Sequence, residues 1–399
     1  MKTDKRLPVP LTVSIQYGAA FAFMYIFPAL FMPFFPLWLA ENNITAAEIG
    51  IIFAVGPIVR SIVPPFVTQW ADTHNSIKGP MVLCQALATA SFVFFFWGSG
   101  FWQFLLISTI VSIFLTPQIP LMDTACLMKT KNHRMSYPIM RAIGSMGFVF
   151  FSIVMGFYFK KNGVDDILLW MTLGLVLSLV SMMSLQVDRS PTKTDNLQSL
   201  TDDQRNPLKY LLKDKQFVLF LWIVSLIQFS HGIVYSIGSV HWRNNGITED
   251  QIGILWAVGV TAEILLFLFC GKLVAHLRPR TIFSIVAIFG ALRWVITGIS
   301  VDFEVLFFAQ MIHSLTFGAT HLAAVYYISS RLPVFCAATA QGLYSGICMG
   351  FAVGIGMLGG GYLYDLLTGQ GIFGGYAYFA MAASCALVLP VVYKLQRRT

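Results

Sequence analysis

Charge is the scarcest property of this 399-residue chain. Asp, Glu, Lys and Arg make up 11% of it, against 57% hydrophobic residues, where a soluble domain carries about a quarter charged residues. A chain of this length cannot hide so much apolar surface behind a wetted exterior; lipid as the outer solvent removes the difficulty. Paired cysteines are lacking too. Cys84, Cys126, Cys270, Cys336, Cys348 and Cys385 fall singly within apolar segments, which argues against a disulfide framework or a metal site. GxxxxGK(S/T), HExxH and GxSxG are absent, and no nucleophile–base set takes their place. The reading excludes an enzyme and an ATP-driven pump, implies no cofactor, and leaves an ion gradient as the energy source. The net charge of +8 draws no basic stripe along a folded surface, so no nucleic-acid partner is expected.

What is present is a series of apolar runs of about 20 residues between short polar breaks. Spans are expected at 11–39, 45–71, 79–99, 102–128, 137–159, 166–186, 216–241, 248–275, 281–300, 304–330, 335–362 and 372–393. Lipid offers no hydrogen bonds, so each must be a helix, and the runs are too long and alternate too little for barrel strands. The first has no small-residue cleavage site after a short core and reads as a span, not a removable signal. The fold class is therefore all-α membrane protein with twelve transmembrane helices. With a cytoplasmic N-terminus, twenty basic residues fall on the cytoplasmic side and three, Lys160, Lys161 and Arg243, on the other. That positive-inside bias places both termini in the cytoplasm.

The longest polar stretch divides the chain into a six-helix half at 1–187, a cytoplasmic linker at 188–215 and a second six-helix half at 216–399. An internal repeat supports the division. Ile44-Thr45-Ala46-Ala47-Glu48-Ile49-Gly50 returns 203 residues later as Ile247-Thr248-Glu249-Asp250-Gln251-Ile252-Gly253, and Met146-Gly147-Phe148 as Met349-Gly350-Phe351. Two parallel, pseudo-symmetric repeats about an axis along the membrane normal fit this offset. Both repeat starts carry a capping pattern, Thr45-x-x-Glu48 and Thr248-x-x-Gln251, expected to begin a helix. Gly342, Gly346, Gly350 and Gly354 lie on one helix face, where a neighbour's backbone can approach closely.

Few ionisable residues fall within the spans: Arg60, Asp123, Arg141, Glu263 and Arg293, with His231, His313 and His321. Each acid or Arg at bilayer depth costs roughly 2.5–3.5 kcal/mol on insertion scales, so each needs a partner or a cavity. Asp123 and Arg141 stand at equal distance from the turn near Asn132, hence at one depth on antiparallel helices. Glu263 and Arg293 flank the turn near Arg278 in the same way, and Arg293 and His313 the turn near Asp302. Each half thus offers a charged cluster, Asp123/Arg141 and Glu263/Arg293/His313, and a substrate site between repeats needs polar groups from both. Arg60 and Glu263 are repeat equivalents of opposite charge. Trp256 and Trp294 are the aromatic candidates to cover an organic substrate. A buried carboxylate near a cation is a proton-coupling candidate, which selects Glu263 and Asp123, with His313 as the switchable base. His231 and His321 read as satisfied polar residues.

These residues resemble the major facilitator superfamily, and within it the bacterial 3-phenylpropionate transporter branch. The resemblance runs from about Phe27 to Tyr364. It is carried by Met32-Pro33-Phe34-Phe35-Pro36-Leu37-Trp38-Leu39, Ile49-Gly50 followed by Arg60, Pro120-Leu121-Met122-Asp123, Arg141-Ala142-Ile143-Gly144-Ser145, Ala262-Glu263, Leu292-Arg293-Trp294, and Ile312-His313 with His321-Leu322-Ala323-Ala324. The branch is similar to lactose permease, whose polar residues in the fourth, fifth, eighth, ninth and tenth spans bind sugar and carry a proton; Asp123, Arg141, Glu263, Arg293 and His313 fall on such positions. That permease has a proton-carrying glutamate one turn beyond the histidine, where this chain has Thr316. The superfamily's GxxxD loop motif is reduced here to Thr68-Gln69-Trp70-Ala71-Asp72-Thr73, with Asp72 at the gating position.

The resemblance implies a monomeric, proton-driven symporter in the bacterial inner membrane, importing an aromatic carboxylate such as 3-phenylpropionate. Arg141 or Arg293 would anchor the carboxylate and aromatic side chains would cover the ring. Import of a sugar or nucleoside, drug-type export, and a non-transporting receptor remain open alternatives.

Overall fold

A computed structural model describes residues 11–74, 76–132, 135–187, 206–270 and 277–395. Twelve helical spans run through them. Eleven are long and apolar enough to cross a membrane: α1 (Leu11–Glu41), α2 (Ala46–Ala71), α3 (Lys78–Phe96), α4 (Gly100–Thr130), α5 (Tyr137–Asn162), α6 (Ile167–Ser184), α7 (Lys215–Asn244), α8 (Glu249–Cys270), α9 (Pro279–Ile299), α11 (Phe335–Gly369) and α12 (Gly374–Val392). The remaining one, α10, is built from Phe303–Met311, a π turn at Ser314–Ala319 and Thr320–Arg331. Gln310, His313, Ser314, Thr316, Thr320 and His321 dilute its hydropathy, which is why α10 falls short of the apolarity the others reach. The chain is an all-α membrane protein of two six-helix halves. No strand occurs among the described residues.

We call distal the end that bears the α1–α2 and α7–α8 turns, and proximal the other. At the distal end each half begins a helix with the expected capping box. The Thr45 amide donates to Glu48 Oε2 at 2.9 Å while the Glu48 amide donates to Thr45 Oγ1 at 3.3 Å. Thr248 and Gln251 form the equivalent box on α8, and the Thr248 hydroxyl also bonds Asp250. These bonds satisfy amides that a helix start leaves without intrahelical partners.

The halves join across that end. Asp365 of α11 accepts from the Ala46 and Ala47 amides of α2 at 3.1 and 2.8 Å. Arg243 bridges Glu41 at 2.6 Å and Glu249 at 3.1 Å, and Lys160 reaches Asp250 at 2.9 Å. Backbones approach closely where side chains are absent. A Cβ on Gly361 would strike the Ala46 carbonyl, and one on Gly253 the Ser152 carbonyl. Farther along α11, Gly346, Gly350 and Gly354 face Ser61, Pro57 and Ile58 of α2, while Gly342 meets nothing.

The apolar core follows the same plan. Distally it is one body containing residues of both halves, from Phe27, Phe53 and Phe148 to Ile233, Trp256 and Met357. Proximally it forks into two. One cluster holds Tyr17, Met81, Met122 and Met182 of the first half; the other holds Phe217, Phe283, Tyr327 and Tyr344 of the second. The fork leaves a space between the halves on the proximal side of the distal seal.

The polar stretch between the halves ends in ordered structure. Pro207–Lys213 forms a helix whose Asn206 cap accepts from the Lys209 amide at 3.1 Å. Leu211 is fully buried and Tyr210 stands edge-on to Phe335 at 5.2 Å. Asp214 then caps α7, accepting from Gln216 at 2.8 Å. Residues 188–205 lie outside the described residues.

Candidate functional site

The space between the halves is a cavity of about 500 Å³, walled by residues of both. The first half supplies a mostly aromatic surface that includes Phe27, Phe31, Phe53, Phe92, Phe95 and Phe148. Phe31 stacks on Phe53 at 4.5 Å and on Phe27 at 5.4 Å, so this wall is a packed ring array and not a set of loose side chains. The second half adds Tyr235, Trp256 and Phe317. Trp256 stacks on Tyr235 at 6.0 Å and donates its indole N–H to Ser239 at 3.0 Å, which fixes the ring plane.

Three guanidiniums reach this wall: Arg60 from α2, Arg141 from α5 and Arg293 from α9. The structure brings Asp123 and Arg141 together, with Arg141 Nε 3.9 Å from Asp123 Oδ1. Asp123 stands behind Arg141 and not on the wall itself, and Tyr137 donates to it. The Arg141 guanidinium lies over the Tyr25 ring at 5.1 Å and bonds its hydroxyl. Gly144, one turn along α5, leaves room for that ring.

Arg293 is 1% exposed, yet its partners are neutral. Nη2 donates to Gln310 Oε1 at 2.6 Å, and Nη1 faces Thr316 Oγ1 at 3.2 Å and His313 Nδ1 at 3.3 Å. The guanidinium lies over Trp294 at 4.2 Å. Trp294 itself is off the cavity wall, fully buried, and donates to Ser230 at 2.9 Å. It supports Arg293 from behind. Thr316 also meets His231 Nε2 at 3.2 Å. His231 Nδ1 lies 3.0 Å from the Ile227 carbonyl, and His321 Nδ1 lies 2.9 Å from the Tyr344 hydroxyl.

The expected cluster of Glu263, Arg293 and His313 separates into two parts. Arg293 and His313 meet, whereas Glu263 forms no ion pair with either among the described residues. Its side chain lies over Gly318, with Cγ 3.0 Å from where a Cβ would stand, and faces the cavity. A turn centred near Arg278 would put the two level, but α8 runs to Cys270 and α9 begins at Pro279. Arg293 lies level with Gln310 and His313, which face Gly259 of α8, while Glu263, one turn farther along, faces Gly318. The side chain of Asp72 lies outside the described residues. Gln310 and Tyr25 escaped the sequence reading. Gln310 sits three residues before His313, on the same helix face; Tyr25 carries no polar-in-apolar signal.

The MFS_1 like family matches residues 14–374. The chain belongs to that family. It is 29% identical over 373 residues to a probable 3-phenylpropionic acid transporter of Escherichia coli (strain K12), covering 93% of this chain and 96% of that one. It is 22% identical to the putative nucleoside transporter YegT of the same organism, over 86% of this chain and 82% of the relative. In three dimensions it resembles the crystal structure of the nucleoside transporter NupG (D323A mutant), with a TM-score of 0.85 at 15% identity, covering 96% of this chain and all of that one. Fold and relatives make the chain a multi-pass membrane transporter of the major facilitator type, not an enzyme.

Proposed function

We propose that this transporter is a proton-coupled symporter importing a small aromatic carboxylate, with 3-phenylpropionate as the model substrate. The observation that carries this reading is the cation surplus of the cavity. Arg60, Arg141 and Arg293 reach a wall on which Glu263 is the acid, and Asp123 stands behind Arg141. Among the described residues no acid stands beside Arg293. A buried cation with only neutral partners is costly, and a carboxylate ligand would complete it with a two-pronged, charge-assisted bond. The Phe31–Phe53 wall and Trp256 would take the ring. Neutral sugars and nucleosides give no reason for the surplus.

In this reading Arg60, Asp123, Arg141, Trp256 and Arg293 bind substrate, with Trp294 behind Arg293. Glu263, His313 and Asp123 are the proton-coupling candidates, and Asp72 is assigned to gating. The transporter works as a monomer in the inner membrane, without cofactor. The proximal end, where the sequence gathers its basic residues, faces the cytoplasm. Residues 188–215 link the halves 1–187 and 216–399.

The test is uptake into proteoliposomes with an imposed pH gradient, in a competition panel of aromatic acids, sugars and nucleosides. Gradient-dependent accumulation of the aromatic acid, outcompeted by other aromatic acids alone, is expected. Inhibition by nucleosides or sugars, or outward movement of the acid against the same gradient, would sink the proposal.

A further inference from the structure

The wall of the cavity holds one acid among the described residues, Glu263. Its Cγ lies against Gly318, as does the ring of Phe267, one turn along α8. No hydrogen bond or ion pair engages the carboxylate among the described residues. The charge of Arg141 reaches it from the opposite half, and Tyr235 and Tyr344 lie within reach of its own. Tyr25 from α1, Arg60 from α2, Arg293 from α9 and His313 from α10 share the cavity wall with it, and His321 lies three residues along α10 from Gly318.

We propose that Glu263 is the group through which this transporter couples one proton to one carboxylate ligand: the two carboxylates share the cavity, and binding of the ligand anion draws a proton onto Glu263. The inference rests on the reading of the cavity as a carboxylate site. A cavity of about 500 Å³ is about 10 Å across, so the separation of a ligand carboxylate held by the arginines from Glu263 is taken to be on the order of 8 Å. Two like charges at that distance, at an effective dielectric of about 20, disfavour each other by about 30-fold. The linkage is reciprocal, so a proton on Glu263 tightens the ligand by the same factor that the ligand tightens the proton.

The other candidates are already engaged. Asp123 has Arg141 at 3.9 Å and a hydrogen bond from Tyr137. His313 turns Nδ1 to Arg293 Nη1 at 3.3 Å; the guanidinium can only donate, so this nitrogen accepts, and a second positive charge there would face the first. With the proton on Glu263, ligand and proton add no net charge to the loaded cavity.

The experiment is calorimetric titration of the purified full chain with 3-phenylpropionate, in two buffers of different ionisation enthalpy, across a pH range in which the ligand stays ionised. Wild type should take up protons on binding with a bell-shaped pH dependence that peaks at about 0.7 proton per ligand midway between the free and bound midpoints, with affinity rising up to about 30-fold as pH falls. Glu263→Gln should take up none and bind with a pH-independent affinity near the wild-type acidic limit. Glu263→Asp should keep the proton and move the midpoint of the affinity curve. Unchanged proton uptake in Glu263→Gln, or an unmoved midpoint in Glu263→Asp, overturns the proposal. Wild-type binding without any proton uptake overturns it alone. Failure of wild type to bind any aromatic acid overturns the carboxylate reading beneath it as well.

Discussion

At Arg293 a full positive charge is held by an amide, a hydroxyl and an imidazole. Such a network orients a guanidinium without neutralising it, which is what a site for an external anion requires. Arg293→Gln should weaken aromatic-acid binding by roughly 10- to 150-fold, the size of a lost hydrogen bond to a charged group. Arg293→Lys should recover only part of it, because an ammonium lacks the planar fork; ligand titration of both variants checks this. Thr316→Glu places an acid against Arg293 and His231. It should supply the counter-ion from within and so compete with the ligand, lowering affinity for aromatic acids while the protein still folds. An unchanged dissociation constant in Thr316→Glu would mean that Arg293 is not the anchor. Asp123, Arg141, Glu263, Arg293 and His313 were all legible in the sequence, because an ionisable residue inside an apolar run stands out whatever surrounds it. Their pairing was legible only in part. Equal depth brought Asp123 to Arg141, yet it also grouped Glu263 with Arg293, because the centre of the α8–α9 turn cannot be read from sequence. In the structure Glu263 lies one turn beyond the level of Gly259, which faces the His313 and Gln310 partners of Arg293.

At the level of the helix, the two halves mark equivalent positions by different means. Pro33 in α1 corresponds through the 203-residue offset to Ser236, inside the π turn Val234–Gly238 of α7. Pro64 and Pro65 in α2 correspond to Phe267 and Leu268, inside the π turn Leu266–Cys270 of α8. Proline removes an amide donor and crowds the preceding turn; a π turn inserts a residue into the ladder. In α1 regular helix is interrupted at residues 32–34, whereas α2 stays helical through Pro64 and Pro65, and the π turns of α7 and α10 place Tyr235 and Phe317 on the cavity wall. The prolines could be read from the sequence, while the π turns have no residue signature. Close packing is the other property of elements. Gly361→Val would drive a side chain into the Ala46 carbonyl, so the distal ends of α2 and α11 should part. Spin labels on those ends should report a longer distance than in wild type. Asp365→Ala removes the acceptor from two α2 amides. It should lower stability by about 1 kcal/mol, the usual worth of an N-cap, read as an earlier thermal unfolding midpoint in detergent.

For the whole molecule, the decisive feature is a core that is single at the distal end and divided at the proximal end. Ion pairs and bare backbone contacts close one end while the apolar clusters of the halves stand apart at the other. The cavity is therefore reached from the proximal side, which in the proposed orientation faces the cytoplasm. If transport is gradient-driven, a protonophore should abolish accumulation of labelled aromatic acid in energised vesicles. It should leave exchange of labelled for unlabelled acid intact, since exchange needs alternating access without net proton flow. Loss of exchange under the protonophore would argue against that scheme.

The sequence by itself determined the class, the number of spans and the twofold repeat. Those follow from hydrophobicity, the backbone's need for internal hydrogen bonds in lipid, and a 203-residue recurrence, all of which are local or periodic properties. It also picked out the charged residues, since the membrane makes each one costly enough to stand out. Only the tertiary structure decided which charges meet, that Trp294 stands behind Arg293 while Trp256 faces the cavity, and that Glu263 is the one acid on the wall among the described residues. Those outcomes depend on how helices rotate and lean against one another. Rotation is set by many small packing contacts far apart in the chain, and no single residue announces it.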